Sequence, residues 1–297
     1  MENEKKIYRK GLTYGVSCSV LWGLLPIYWQ ALKPIESSVI LVYRILLVCV
    51  VCGALSWKLY GIEEIKKHLR PKGAKLRFFL TGLLITFNWQ LYVWAVNTDQ
   101  VVQTCIGYYI EPLVISAFGI LFFKEKLTNY KLAAIGLALI GVAVILVHFM
   151  EVPIVALTLG VSFAGYAVLK KNNKLPSILS LFYETMYLAL PALAVILYLE
   201  KTGNGAICAG MEFQYFLLFF SGPVTAATLA LFSEAAGRLP LVTLGLIEYI
   251  MPTISLALGV FLFEEPFDAV QFMAFVIVWI GLAIFSIGEW KEVKAGQ

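Results

Sequence analysis

Two stretches of the chain, residues 105–125 and 245–265, repeat one another at a spacing of 140 residues. They read CIGYYIEPLVISAFGILFFKE and GLIEYIMPTISLALGVFLFEE, and they align without a gap. The positions that coincide are aromatic, proline, glycine and acidic: Tyr109 with Tyr249, Pro112 with Pro252, Gly119 with Gly259, and Glu125 with Glu265. Each copy predicts an apolar helix with a proline near its middle, then a short acidic turn and a second apolar helix. Such internal symmetry in a hydrophobic chain is typical of transporters built from two repeats.

The composition excludes a soluble globular domain, because 60% of the residues are hydrophobic and only 14% are charged. About 20 apolar residues are enough to cross a hydrocarbon core of ~30 Å at ~1.5 Å per residue. We predict ten such spans, at residues 11–31, 37–57, 77–97, 101–123, 130–149, 152–170, 179–199, 213–236, 240–263 and 269–289. The first run is too long for a signal peptide and lacks a small-residue cleavage site, so it is predicted to be helix one.

Basic residues are concentrated in alternate connections between these spans. If the N-terminus is cytoplasmic, 20 of the 23 Lys and Arg residues fall in inner segments, and the outer loops keep only Lys33 and Lys201. This bias follows the positive-inside rule, so both termini are predicted to be cytoplasmic. The longest inner connection, residues 58–77, is compatible with a short interfacial helix or with a solvated basic loop.

Five spans per copy is an odd number, so the second copy must cross the membrane in the opposite direction. The turn Phe123-Lys124-Glu125 is then cytoplasmic, and its counterpart Phe263-Glu264-Glu265 faces outside. We therefore predict an all-α integral membrane protein with ten transmembrane helices in two inverted five-helix repeats. The predicted parts are a cytoplasmic tail (1–10), a first repeat (11–149), a second, inverted repeat (150–289) and a second cytoplasmic tail (290–297).

Two residues of opposite charge occupy matching positions in the two copies. At the 140-residue offset, Tyr43-Arg44 falls on Tyr183-Glu184. An arginine inside a span costs roughly 2.5 kcal/mol or more unless it finds a partner or reaches the interface. Three interpretations remain open: an Arg44–Glu184 pair or gate latch, substrate or proton handling, and separate snorkelling to the nearest interface.

The two proline-containing helices are predicted to face a polar cavity. Proline frees the carbonyl four residues earlier, which is that of Tyr108 for Pro112 and that of Glu248 for Pro252. Freed carbonyls at membrane depth are tolerated only beside protein groups or water. Pro112 and Pro252 are therefore candidate helix breaks at the wall of a cavity.

Two glutamates lie within the same predicted helices. Glu111, near mid-membrane, must be neutral, paired or hydrated, because an unpaired carboxylate facing lipid is too costly. Glu111 and Glu248 are therefore candidates for proton coupling or for contact with a substrate cation. A buried, protonated glutamic acid that holds helices together is the alternative.

Helix three concentrates polar and aromatic residues along one span. Asn88, Tyr92 and Ala95 share a helical face and either line a cavity or make contacts between helices. The predicted cavity and substrate-binding residues come from both copies: Trp22, Tyr43, Arg44, Asn88, Trp89, Tyr92, Tyr108, Glu111, Tyr183, Glu184, Glu248 and Tyr249.

Other classes of function lack support in the sequence. Neither of the two histidines is mid-membrane, and there is no HExxH, GxSxG or P-loop motif, so we predict no enzyme, metal or cofactor. Cys49-x-x-Cys52 is predicted to pack as small apolar residues. The basic residues of the inner loops do not indicate a nucleic-acid partner. The predicted partners are a small-molecule substrate and the lipid bilayer, with a monomer or a homodimer left open.

Several motifs resemble the EamA-type drug/metabolite transporter superfamily, and within it the RarD group associated with chloramphenicol sensitivity. The resemblance covers about residues 10–289. It is carried by the following motifs: Leu21-Trp22-Gly23, Tyr43-Arg44, Asn88-Trp89, Trp94-Ala95-Val96-Asn97, Gly107-Tyr108-Tyr109, Pro112-Leu113, Glu184-Thr185-Met186, Arg238-Leu239-Pro240 and Phe275 with Trp279.

The resemblance implies a drug/metabolite transporter fold in a cell membrane. It implies a central cavity walled by helices one, three, four, six, eight and nine, with helices five and ten peripheral. The group usually has asparagine at position 111 and glutamine at position 248, whereas this chain has Glu111 and Glu248. We expect a secondary-active or facilitative transporter, an exporter of a small amphiphilic metabolite or drug. The alternative is a membrane sensor or assembly partner that transports nothing.

Overall fold

A computed structural model describes residues 2–69, 73–97, 101–150, 154–209, 212–262, 264 and 268–295. Throughout this part of the chain the regular structure is helical, and no residue lies in a β-strand. The helices are α1 (Glu2–Ala31), α2 (Ser37–His68), α3 (Ala74–Asn97), α4 (Val101–Phe123), α5 (Asn129–Phe149), α6 (Ile154–Lys171), α7 (Ser177–Lys201), α8 (Ala206–Ala209), α9 (Glu212–Ala236), α10 (Leu241–Glu248), α11 (Ile250–Phe261) and α12 (Ala269–Ala295).

Most of these helices have the length and composition of membrane spans. Among the described residues, eight helical stretches are long and apolar enough to cross a bilayer, and Gly107–Phe123 is a shorter apolar helix. One of the eight, Leu241–Phe261, joins α10 and α11. Large apolar side chains such as Leu190 (74% exposed) and Val147 (70% exposed) project outward, as lipid-facing residues do. The fold is that of an all-α, multi-pass membrane protein.

The helices form two compact units that do not follow the order of the sequence. The first unit comprises Met1–Pro26, Trp94–Asn172 and Glu234–Gln297. The second comprises Ile27–Val93 and Asn173–Ser233. Each unit therefore contains helices from both predicted repeats.

Within the first unit, α4 packs against α6 and α10, and α5 packs against α12. Glycines allow the α5–α12 backbones to approach closely, and they do so reciprocally. A Cβ added at Gly141 would lie 3.0 Å from the carbonyl oxygen of Ala274, and one added at Gly281 would lie 3.2 Å from that of Ala134. Small residues at such crossings let helices approach through van der Waals contact, which drives helix association in lipid.

Within the second unit, α2 packs against α7 along most of their lengths. A tyrosine from each helix reaches the far end of the other. The hydroxyl of Tyr43 donates to Glu200 Oε1 at 2.7 Å, and that of Tyr183 donates to the carbonyl of Ile65 at 2.8 Å. These bonds fix the register of the two helices at both ends.

Two helices are interrupted at identifiable residues. In α2 the backbone of Gly61 adopts φ 73° and ψ 164°, beyond which the helix continues to His68. This positive φ favours glycine, which has no Cβ to clash. The segment predicted as a helix or a basic loop is thus helical as far as residue 68. The other interruption is Tyr249, which separates α10 from α11 three residues before Pro252.

Candidate functional site

The structure divides the predicted site residues between the two units. In the first unit lie Trp22, Tyr108, Glu111, Pro112, Glu248, Tyr249 and Pro252. In the second lie Tyr43, Arg44, Asn88, Trp89, Tyr92, Tyr183 and Glu184. The two sets are built from different interactions.

In the first unit, one face of α1 lies against α10 and α11 through small residues spaced four apart. A Cβ at Gly15 would lie 3.5 Å from the side chain of Ile247, and one at Gly23 would lie 2.7 Å from that of Ile254. Ser19 lies midway between these glycines on the same face, and it is fully buried. The close approach of α1 therefore places a hydroxyl group beside the end of α10.

The residue at that end is Glu248, of which only 1% is exposed. Its carboxyl group interacts electrostatically with Glu111 and with the hydroxyl of Ser19. That hydroxyl donates its hydrogen bond to the carbonyl of Gly15 at 3.0 Å, and no described residue gives either Glu248 oxygen a hydrogen bond of normal geometry. A buried carboxyl group of this kind costs free energy unless it binds a proton or a cation.

Close backbone packing keeps the two glutamates near each other. A Cβ added at Gly245, one turn before Glu248, would lie only 2.5 Å from the carbonyl oxygen of Pro112. A Cβ added at Gly160 of α6 would lie 3.4 Å from the Cα of Glu111 on α4. Glu111 is itself partly buried. The pair thus lies where the backbones of α4, α6 and α10 pack closely.

Aromatic side chains from α1 and α6 pack together in the same unit. The rings of Trp22 and Phe163 meet edge to face at 5.6 Å, and Phe163 contacts Tyr166 at 5.9 Å. The ammonium group of Lys170, a buried residue, lies 5.5 Å from the centre of the Tyr166 ring. These groups offer apolar surface and π-faces within the same unit as the carboxyl pair.

Tyrosines connect α4 to the start of α11. The hydroxyl of Tyr249 donates to the carbonyl of Tyr109 at 2.9 Å, and Tyr249 is 1% exposed. Tyr109 also packs edge to face on Phe275 of α12 at 4.6 Å. Tyr108 is partly buried on α4. The break at Tyr249 is therefore tied to the helix that carries Glu111.

In the second unit, Arg44 lies against aromatic rings. Its guanidinium carbon is 4.0 Å from the ring centre of Trp89 and 5.4 Å from that of Trp29. A cation over a tryptophan face gains about 0.5–2 kcal/mol, more where water is excluded. This environment lowers the cost of an arginine inside a membrane-spanning helix.

The remaining members of the second set differ in burial. Glu184 is 1% exposed and accepts a hydrogen bond from Ser180 one turn earlier. Asn88 is 8% exposed and Tyr92 is 38% exposed, although they share a face of α3. Tyr183 is completely buried. The structure thus brings Arg44 and Trp89 together, and it places Glu184 beside a hydroxyl group on its own helix.

Three residues were not predicted from the sequence as parts of this unit's site: Ser19 and Gly160, which lie beside the two glutamates, and Phe163, which packs on Trp22. The spacing of Gly15, Ser19 and Gly23 at i, i+4 and i+8 is a small-residue pattern that could have identified the packed face of α1. Within the part of the chain that the structure describes, no three His, Cys, Asp or Glu side chains converge as metal ligands.

Comparison with known proteins gives these features a context. Residues 9–147 match the model of the EamA-like transporter family. The uncharacterized transporter YojE of Bacillus subtilis is 37% identical over 294 residues, which are 97% of either chain. Protein RarD of Streptomyces exfoliatus is 36% identical over 299 residues, covering 100% of this chain and 92% of that protein.

Proteins with lower sequence identity also match nearly the full length of this chain. Protein RarD of Escherichia coli is 30% identical over 288 residues, covering 95% of each chain. A solved crystal structure with only 16% identity matches the fold with a TM-score of 0.72 over 93% of this chain and 97% of its own. Full-length matches at 30–37% identity and the family model together establish that this chain belongs to the EamA-like transporter family, in its RarD group.

Proposed function

We propose that this multi-pass membrane protein is a secondary carrier that exports a small amphiphilic solute by alternating access, coupled to protons through Glu111 or Glu248. The observation that carries the proposal is the carboxyl pair in the first unit. Glu248 is 1% exposed, its oxygens accept no hydrogen bond of normal geometry from a described residue, and its carboxyl group interacts electrostatically with Glu111 and with the Ser19 hydroxyl. A structural role would favour partnered carboxyl groups, because an unpartnered one destabilises the fold.

The coupling follows from elementary electrostatics. Two carboxylates at close range in a medium of low polarity repel each other. They are therefore not ionised at the same time unless a cation lies between them. The pair therefore holds a proton in the empty carrier. Binding of a substrate, or opening of the site to the other side of the membrane, would release that proton. The exchange of proton for substrate lets a proton gradient drive transport.

The proposed architecture is ten spans in two inverted repeats, with both termini cytoplasmic. Several structural features recur at the 140-residue offset. Lys124 and Glu264, which match at that offset, have nearly identical left-handed φ values of 51° and 53°. The packing glycines Gly141 and Gly281 also match. An inverted pair of repeats would supply the two equivalent conformations that alternating access requires.

The proposed substrate is a small amphiphilic metabolite or drug. Trp22 and Phe163 offer apolar surface in the same unit as the carboxyl pair. In the second unit, Arg44 and Trp89 offer a cation and a π-face. Aromatic surface with a few oriented polar groups is the usual composition of a site for such molecules.

The test is flux in proteoliposomes loaded with a panel of aromatic and cationic metabolites plus chloramphenicol. Efflux is followed with and without an inward proton gradient, for the wild type and for Glu111→Gln. We expect uphill efflux that the gradient drives and that the substitution removes. Equal, purely downhill equilibration in both proteins would indicate a facilitator in which Glu111 is structural. Binding without any flux would favour the sensor.

A further inference from the structure

A carboxylate from the end of one helix caps the start of another in the first unit. Glu125 follows α4, and its Oε1 accepts a hydrogen bond from the backbone N–H of Leu241 at 2.8 Å. Its Oε2 accepts one from the N–H of Val242 at 2.9 Å. These two N–H groups belong to the first two residues of α10 and have no partner within that helix. Glu125 thus caps the N-terminus of α10 from 116 residues away in the chain.

A lysine from a third helix completes this contact. The ammonium group of Lys171, the last residue of α6, lies 3.1 Å from Glu125 Oε1. It also donates to the carbonyl of Leu239 at 2.6 Å, and it lies 5.1 Å from the centre of the Phe123 ring. Both charged side chains are mostly buried, with 18% of Lys171 and 11% of Glu125 exposed. Water therefore screens this contact less than it screens a surface ion pair.

The space for the contact is set by Gly119. A Cβ at that position would lie 2.7 Å from Glu125 Oε2 and 3.0 Å from the backbone nitrogen of Val242. Lys124, which lies between the end of α4 and Glu125, has a left-handed φ of 51° that turns the chain back. Any larger side chain at 119 would separate the carboxylate from α10. The glycine at 119 and the turn at Lys124 thus both allow the Glu125 carboxylate to reach the start of α10.

The capped helix carries Glu248 at its other end. With eight residues from Leu241 to Glu248, α10 is a rigid segment about 12 Å long. Negative charge at its N-terminus is favoured by the helix dipole, and charged hydrogen bonds are stronger than neutral ones. Release of the N-terminus would free α10 to move against α4, and Glu248 would move with it.

We propose that Glu125, Lys171 and the N-terminus of α10 form a latch that closes one gate of the carrier. The latch lies at the end of the molecule where the basic residues indicate the cytoplasm. It is closed in this structure, and it opens when that side of the site becomes accessible. This inference rests on the proposed alternating access, because a protein that never opens has no need of a releasable latch.

Hydrogen exchange followed by mass spectrometry tests the latch on the complete protein in detergent. The variant is Glu125→Gln, which keeps the size of the side chain and removes its charge. We expect backbone amides 241 and 242 to exchange at least about tenfold faster, which corresponds to about 1.4 kcal/mol. The matched control is Glu63→Gln, because Glu63 is exposed and pairs with Lys66 within its own helix.

A second measurement reports opening directly. Ser116 is 1% exposed, and its Oγ lies 3.4 Å from the carbonyl oxygen of Val242, behind the latch. Ser116→Cys, in a protein whose five native cysteines are replaced, is labelled with a membrane-impermeant thiol reagent from the cytoplasmic side. Glu125→Gln and Lys171→Met are each expected to speed labelling several-fold, and the double variant to add little, since both break one latch.

Unchanged amide exchange and unchanged labelling in both single variants would overturn the latch. If Glu125→Gln yields no folded protein, Lys171→Met alone decides by the same two readouts. Neither measurement needs a known substrate. Failure of the transport assay with a responsive latch would therefore count against the proposed function, whereas transport with an unresponsive latch would count against this inference alone.

Discussion

At the scale of single residues, Gly245 shows how little space separates α10 from α4. An added methyl group would lie 2.5 Å from the Pro112 carbonyl oxygen and 2.6 Å from Ser116 Oγ. We expect Gly245→Ala to destabilise the fold by about 1–3 kcal/mol, because the two backbones must move apart. The measurement is the thermal unfolding midpoint in detergent.

The matched control is another helical glycine. Apart from its chain neighbours and its own helix backbone, no atom lies within 4 Å of a Cβ added at Gly136, so Gly136→Ala is expected to be neutral or to stabilise its helix by about 0.5–1 kcal/mol. Equal midpoints for Gly245→Ala and the wild type would show that α10 is less tightly held than the structure indicates.

The contact between Arg44 and Trp89 makes a second prediction at this scale. We expect Trp89→Leu to lower stability by about 0.5–2 kcal/mol, because the guanidinium group loses the ring 4.0 Å away. A double-mutant cycle with Arg44→Gln isolates the pairwise interaction from other losses. Trp57, which lies on the same helix as Arg44 and is 68% exposed, supplies the control Trp57→Leu. Additive effects of the two substitutions would contradict the interaction.

At the scale of helices, the start of α12 is fixed by an acidic cap. Asp268 Oδ1 accepts hydrogen bonds from the N–H groups of Val270 and Gln271, both at 2.8 Å, while Gln271 Oε1 accepts one from the N–H of Asp268. The side chain of His148 also reaches Asp268 Oδ2 at 2.9 Å. The hydrogen bonds that the Asp268 carboxylate accepts, the one from the Gln271 N–H foremost, lower the pKa of Asp268 below its usual value.

Because the pKa of Asp268 is lower in the folded protein, the cap contributes its full stability at pH values above the ordinary aspartate range. This contribution is lost as the pH falls through that range to the lowered pKa. We expect Asp268→Ala to melt at a lower temperature than the wild type at pH 7, and the difference to narrow below about pH 4. Asp268→Asn, which keeps a capping oxygen without the charge, should lie between them. A difference independent of pH would rule out this linkage.

Another contact between helices is a buried ion pair. Lys131 of α5 lies 3.1 Å from Glu289 of α12, with 8% of each side chain exposed, and the hydroxyl of Tyr8 donates to the same carboxylate. Lys131→Met is expected to cost about 3–5 kcal/mol, because it leaves a buried charge without its cation. The double variant Lys131→Met/Glu289→Gln should recover part of that loss in thermal unfolding. No recovery would mean that packing, and not charge, dominates there.

At the scale of the whole molecule, the sequence was sufficient to predict an all-helical membrane protein of this family. Apolar periodicity and length carry that information locally, because each span must satisfy its own backbone in lipid. The two compact units could not be predicted, since each takes helices from both halves of the sequence. Ser19 beside Glu248 and Glu125 on Leu241 also depend on packing between distant segments, which local patterns do not record.

The most direct test of the central claim measures protons moved by the solute itself. Proteoliposomes containing a pH-sensitive dye receive an outward gradient of a transported solute, with no pH difference imposed. In the wild type, we expect solute efflux to carry protons inward and acidify the lumen, and Glu248→Gln to move solute without that change. Solute efflux without any change in lumenal pH in the wild type would contradict coupling through the carboxyl pair.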